Sequence, residues 1–411
     1  GNYAQALENF QKSLTQREAL GDKAGTASTL SNIGSVYVRQ GNYMQALEYY
    51  RKSLTLSEAL GDQAVISDTL IEMGNAGRLQ GNYAQALDFV SRAIVLAKQF
   101  GYPVDLWRAQ NVAGQSYRAL NQLAPARQAF GEAIATIEML RAQVAGGEQE
   151  QQRFFEDKLA PYQGMVEVLV DQKQFDAALD YAERAKARVL LDVFHSGHIN
   201  LTKAMTAAEQ DQERGFNNQL VSLNTQISRE NQRAQPDAAR LNDLKAQLQK
   251  VRLDYEAFQT GLYAAHHELK AQRGEVEPLT PDQASALLPD ARSAVLEYVL
   301  TDERAYLFAL TVNAAGATTE LKVYPLAIKQ KELEDRVVRY RETLANGSPG
   351  FRQSARELYD LLLKPAAAQL QGRTALVIVP DGALWELPFQ TLQPGPNRYL
   401  IENAAIAYAP S

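Results

Sequence analysis

Along the first third of the chain, apolar residues recur every three or four positions, which predicts helices, and the pattern itself repeats every 40 residues. The segments GNYAQALENFQKSLTQREALGD, GNYMQALEYYRKSLTLSEALGD and GNYAQALDFVSRAIVLAKQFGY begin at Gly1, Gly41 and Gly81. A fourth, NQLAPARQAFGEAIATIEML, begins at Asn121 and lacks the glycine. Small residues recur where two helices must approach closely: Gly34, Gly74 and Gly114 in one series, then Ala46, Ala86 and Ala126. Tyr50, Val90 and Phe130 follow at one more helical turn, and the steps from Ala46 to Tyr50 to Ser53 place these residues on one stripe. A single helix pair cannot bury such a stripe, so the pairs must stack into a solenoid.

Leu30, Ile33, Gly34, Tyr37, Ala46, Tyr50 and Ser53 together resemble the tetratricopeptide repeat, in a variety extended by six residues per unit, with Gly77 in place of the usual aromatic. These positions specify a fold and no chemistry. Residues 1–20 and 41–60 agree at 14 of 20 positions, whereas 21–40 and 61–80 agree at only 7 of 20, so the first helix of each unit has diverged. The resemblance implies that this first helix lines the concave groove. Carried over by alignment, the groove presents Ser31, Arg39, Asp68, Asn75, Arg78, Arg108, Asn111, Gln115 and Arg118. Four arginines against one aspartate point to an acidic, carboxylate-bearing peptide or protein ligand; a solvated polar face is the plainer alternative.

The repeats are expected to span 1–145, with degenerate repeat-like helices over 146–200. FDAALDYAERAKARVLLDVF keeps the small-residue spacing at Ala178 and Ala185. His195 and His198 stand three apart, yet a metal site needs three or four ligands and the chain has no cysteine, so no metal is assigned. Thr206 and Glu209 form a capping box that starts a helix to about Arg233, and a second runs from beyond Pro236 to about Arg273. Leu241, Leu244, Leu248, Val251, Tyr255, Phe258 and Leu262 trace a heptad seam, matched by Phe216, Leu220, Leu223 and Ile227. Residues 201–274 therefore read as a helical hairpin, a coiled-coil spacer whose seam leaves self-association open.

From about residue 275 the period changes from helical to strand-like. AVLEYVL, AYLFALTV and TTELKVYPL alternate or run apolar between turns, helices follow over about 329–345 and 352–370, and TALVIV and AIAYAPS complete the strand-like segments. The pattern predicts a parallel or mixed sheet flanked by helices, with too few central strands to close, so that the domain of 275–411 is expected to be partial.

ERAKARVLLDV, AVLEYVL, ARELYDLLLKPAAAQL, LVIVPDGALWELPFQTL and YLIENAAIAYAPS, in this order after the repeats, resemble the CHAT family of caspase-like domains joined to tetratricopeptide repeats, common in bacteria. The most diagnostic residues are Pro380, Asp381, Gly382, Leu384, Leu387, Pro388, Phe389 and Leu392, then Tyr399, Leu400, Pro410 and Ser411. The resemblance implies a histidine–cysteine pair lying beyond the PS at which this sequence stops, so no catalytic residue is assigned to this chain. Asp381 beside Gly382 reads as a turn, and Trp385, Pro388 and Phe389 read as packing under the sheet. The fold class expected overall is an α-helical repeat solenoid and hairpin followed by a partial α/β, caspase-like domain.

Composition narrows the chemistry further. The 411 residues hold 42 basic and 48 acidic side chains and a net charge of −6, which argues against a nucleic-acid partner. No apolar run is long enough to span a membrane. The chain has no cysteine and four histidines, which excludes disulfides, thiolate metal sites and a cysteine nucleophile within it, and nothing calls for a cofactor. Lack of cysteine suits a reducing cytoplasm, the favoured compartment, although an extracytoplasmic protein can lack cysteine too. The leading expectation is a repeat module that binds protein and regulates a caspase-like cysteine peptidase; the alternative is a non-catalytic scaffold or adaptor.

Overall fold

The computed structural model describes residues 2–141, 158–196, 205–231, 237–266, 269, 279–312 and 319–409. They fall into two compact units, Gly1–Ala142 with Ala160–Gln172, and Gln143–Leu159 with Lys173–Ser411.

The first unit is a helical repeat array: α1 (Tyr3–Ala19), α2 (Lys23–Arg39), α3 (Tyr43–Leu60), α4 (Gln63–Leu79), α5 (Tyr83–Phe100), α6 (Pro103–Ala119), α7 (Leu123–Arg141) and α8 (Ala160–Asp171). The chemistry that ends each helix recurs with the repeat. Asn2, Asp22, Asn42 and Asp62 cap helices by accepting a hydrogen bond from the amide three residues on. Gly41, Gly61, Gly81 and Gly101 take positive φ at the turns, and Asn121, where the glycine is lost, adopts φ 58° itself. Asparagine is among the few residues that tolerate that conformation.

Ala46, Ala86 and Ala126 and their partners Tyr50, Val90 and Phe130 are all fully buried, as the stripe requires. Gly34, Gly74 and Gly114 lie under Tyr50, Val90 and Phe130 respectively. Gly164 of α8 meets the same Phe130 ring. The close-approach glycine therefore recurs a fourth time, 50 residues after Gly114, displaced by an insertion that hides it from a search at the 40-residue period. The repeat-like helices expected over 146–200 thus part company: α8 closes the repeat array, and the next helix belongs to the second unit.

In the second unit α9 (Phe175–Ser196) is followed by a hairpin of α10 (Ala207–Asn231) and α11 (Ala238–Ala265). The capping box holds: Glu209 accepts from the Thr206 amide at 2.7 Å and Thr206 from the Glu209 amide at 3.3 Å. Leu220, Leu223, Leu244 and Leu248 bury the seam, with Ile227, Val251 and Tyr255 at its border. Above it, Phe216 packs its ring 5.5 Å from Tyr255 and 5.6 Å from Phe258. The hairpin's second helix stops at Ala265, short of Arg273, because His266 leaves helical geometry at φ −132° and ψ 76°.

A short helix, α12 (Pro281–Ala286), leads into a five-stranded mixed sheet of β1 (Ser293–Leu300), β2 (Ala305–Val312), β3 (Thr319–Leu326), β4 (Ala375–Val379) and β5 (Ala405–Tyr408), in the order β3-β2-β1-β4-β5. β1 pairs antiparallel with β2 and parallel with β4, so it is the central strand. Helices α13 (Gln330–Ala345) and α14 (Phe351–Leu362) cover one face. There Ala294, Leu296, Tyr298 and Leu300 meet Leu333, Val337, Tyr340, Leu358 and Leu362 in the main core. The single helix anticipated over 352–370 breaks after Leu362 into shorter turns, where Pro365 has no amide to give.

Candidate functional site

Two places in the chain gather the residues that sequence reasoning singled out. One is the face made by the first helices of the repeats, where α4 lies against α6 and α6 against α8. Asp68 of α4 and Arg108 of α6, one repeat apart, form an ion pair at 2.6 Å. Glu72, one turn after Asp68, also binds Arg108, and Asp105 stands 3.8 Å from the same guanidinium. Arg118 binds Glu167 and, at 3.1 Å, Asp171, both on α8. Arg78 donates to Asn75 at 3.0 Å along its own helix. Arg39 is exposed at the end of α2, and Asn111 and Gln115 are half-buried.

Two sequence expectations need correction here. Ser31 is only 7% exposed, so its side chain offers a ligand little surface. The balance of four arginines to one aspartate also fails: Glu72, Asp105, Glu167 and Asp171 join Asp68, and Arg108 and Arg118 are already engaged by carboxylates. The missed acids had a signal. Glu72 follows Asp68 by four residues, which places it on the same stripe of the helix.

The electrostatics of this face are tight. Burial raises the pKa of Glu72 above the usual carboxylate value against the opposing pull of Arg108. Burial raises Asp105 as well, with Asp68 adding to the effect. Burial and the charge of Glu72 push the Tyr50 phenol up, and its hydroxyl lies 3.1 Å from that of Ser35. The face is thus a charge-paired surface built from consecutive repeats.

The second place is the segment after β4. Pro380, Asp381 and Gly382 turn the chain out of the sheet, with Gly382 at φ 48°. Asp381 does more than form a turn: its Oδ2 accepts from the Leu300 amide at 2.7 Å, tying the end of β1 to the loop. Burial raises this carboxyl, opposed by the charge of Lys186 and by the Leu300 and Gly382 amides. Leu387 and Phe389 are buried, and the Phe389 ring lies 5.4 Å from that of Tyr298. Tyr408 of β5 closes the arrangement by accepting from the Phe389 amide at 3.1 Å. Pro388 is half-buried, and Trp385, on the short 3-10 helix Gly382–Glu386, is 47% exposed.

His266 sits beside Glu209, 3.2 Å from its carboxylate, and contributes to the hairpin. The side chains of His195 and His198, and Pro410 and Ser411, lie outside the described residues. Among the described residues no helix is long and apolar enough to cross a membrane.

A tetratricopeptide repeat family model matches residues 1–59, and a CHAT domain model matches residues 352–411. A search of curated proteins finds no match. Among solved structures, the crystal structure of BtubC (BKLC) from P. vanneervenii is similar over 68% of this chain and 95% of its own, at 14% identity and a TM-score of 0.37.

Proposed function

We propose that this chain, with its tetratricopeptide repeats and its CHAT domain, is a protein-binding repeat module that governs a caspase-like cysteine peptidase. The observation that carries the reading is the presence of both matches in one polypeptide, at 1–59 and 352–411. Within the CHAT part, the buried Asp381–Leu300 tie and the Tyr298–Phe389–Tyr408 cluster are supports for a site, not reacting groups. A caspase-like reaction needs a thiolate and an imidazole beside an oxyanion hole. This chain has no cysteine, so any such thiol belongs to sequence outside these 411 residues. The scaffold reading keeps the same repeat function and removes only the chemistry.

The ligand is read as a peptide that carries both signs of charge. An acidic side chain would compete with Asp68 and Glu72 for Arg108, and a basic one would relieve the excess of carboxylates there. The test is a selection of displayed peptides against the full chain, repeated with Arg108→Glu. Enrichment of a charged peptide set that the variant loses supports the reading. Enrichment of nothing, or of peptides that bind the variant equally, overturns it. In the same preparation, turnover of a peptide panel is expected to be nil.

A further inference from the structure

The second face of the sheet carries charge where apolar residues would suffice. Val295, Phe308, Leu310 and Val379 form an apolar surface covered by α9 and α12, yet Glu297 stands among them in the middle of the central strand. Its carboxylate receives the Lys186 ammonium of α9 at 2.9 Å, and the two side chains are only 8% and 11% exposed. Asp381, which holds the Leu300 amide, lies in the field of the same ammonium and of Glu297. The helix is thus held on the sheet by a desolvated ion pair, an arrangement that fixes position but seats a helix less firmly than apolar packing does.

The fit is loose as well as charged. A cavity of about 80 Å³ remains between Leu179 and Glu183 of α9 and Val295, Phe308 and Leu310 of the sheet. At its other end α9 is joined to the repeat array by three residues, Gln172, Lys173 and Gln174, with Lys173 at φ 58°. The helix that seats on the sheet is therefore the next element in the chain after the last helix of the array.

We propose that α9 is a releasable clasp on the sheet, keyed by the Lys186–Glu297 pair, and that its seating sets the conformation of the loop at 380–384. Unseating α9 removes the cation from Glu297 and Asp381. Glu297 then loses its counter-ion and Asp381 a neighbouring positive charge, and the bond from the Leu300 amide to Asp381 is the one most exposed to the change. The inference does not depend on the ligand's identity or on a peptidase activity.

Hydrogen exchange of the full chain, read by mass spectrometry, tests this. In the wild type, α9 and 380–384 are expected to open together in a step distinct from, and faster than, the opening of α13 and α14. Lys186→Met is expected to speed exchange in α9, in the end of β1 and in 380–384 by tenfold or more, leaving α13 and α14 unchanged. The exchanged pair Lys186→Glu with Glu297→Lys is expected to return most of that protection. Acceleration confined to α9, or spread equally over the whole unit, overturns the proposal. Should Lys186→Met fail to fold, the wild type decides alone: one common opening rate for α9, 380–384, α13 and α14 defeats the clasp.

Discussion

Gly114 lies against the ring of Phe130 so closely that a β-carbon built on the glycine would stand 2.7 Å from Cδ1 of the phenylalanine. Real side chains do not approach that near, and Phe130 is fully buried with no room to retreat. Gly114→Ala is therefore expected to destabilise the repeat array by about 1–3 kcal/mol, the usual range for overpacking. Gly61→Ala supplies a contrast, because nothing stands near its β-carbon and its φ of 70° alone opposes the change. That strain costs about 1 kcal/mol. Thermal unfolding of the two variants should rank them in this order.

Glu72 and Asp105 give the array a pH dependence whose sign follows from their raised pKa values. A carboxyl raised in the folded state binds its proton more tightly there than in the unfolded chain. The stability it lends is complete below the unfolded pKa of about 4 and is lost as pH rises through the folded value. The melting temperature of the array should therefore fall as pH is raised from about 4 towards neutrality. In the double variant Glu72→Gln, Asp105→Asn that fall should flatten, and an unchanged slope would refute the assignment.

Arg118 joins α6 to α8 through Glu167 and Asp171, and Glu167 is only 8% exposed. Arg118→Ala strips a charge-assisted partner from a desolvated carboxylate. We expect a loss of about 2 kcal/mol, within the range for removing a hydrogen bond to a charged group. Arg39→Ala, exposed at the end of α2, should leave stability unchanged in the same denaturant titration.

Phe389 is fully buried and packs between Tyr298 and Tyr408. Phe389→Ala should cost the sheet unit about 3–5 kcal/mol, as large-to-small changes in a core do. Trp385→Ala, four residues earlier and 47% exposed, should change little. Calorimetry of both variants tells the supporting residue from its exposed neighbour.

The repeat fold was legible because its constraints are local and periodic. Glycine under a large side chain, alanine at the crossing and a capping Asn or Asp recur in one frame, and each has a steric or hydrogen-bonding cause. The strands and the hairpin were legible for the same reason: alternation and heptads survive without knowledge of partners. Ion pairs were not. Arg108 reaches Asp68 at the equivalent position one repeat earlier, where the 40-residue frame places the helices side by side but does not say which charges meet, and Lys186 reaches Glu297 across 111 residues with no pattern to link the two ends. A list of arginines on one helix face therefore looked basic until the carboxylates of neighbouring helices were set beside it. Asp381 was likewise readable as a turn but not as the acceptor of an amide on another strand, because that bond exists only once β1 and β4 lie parallel.

Phe130 is held against two glycines, Gly114 on α6 and Gly164 on α8. A truncation that follows the 40-residue frame and ends near residue 145 would strip away the second wall and leave an aromatic ring bare to water. Such a fragment would be prone to stick to its own copies, and binding measured with it would report that scar. The natural place to shorten the array is after Gln172, where the ring keeps its full enclosure.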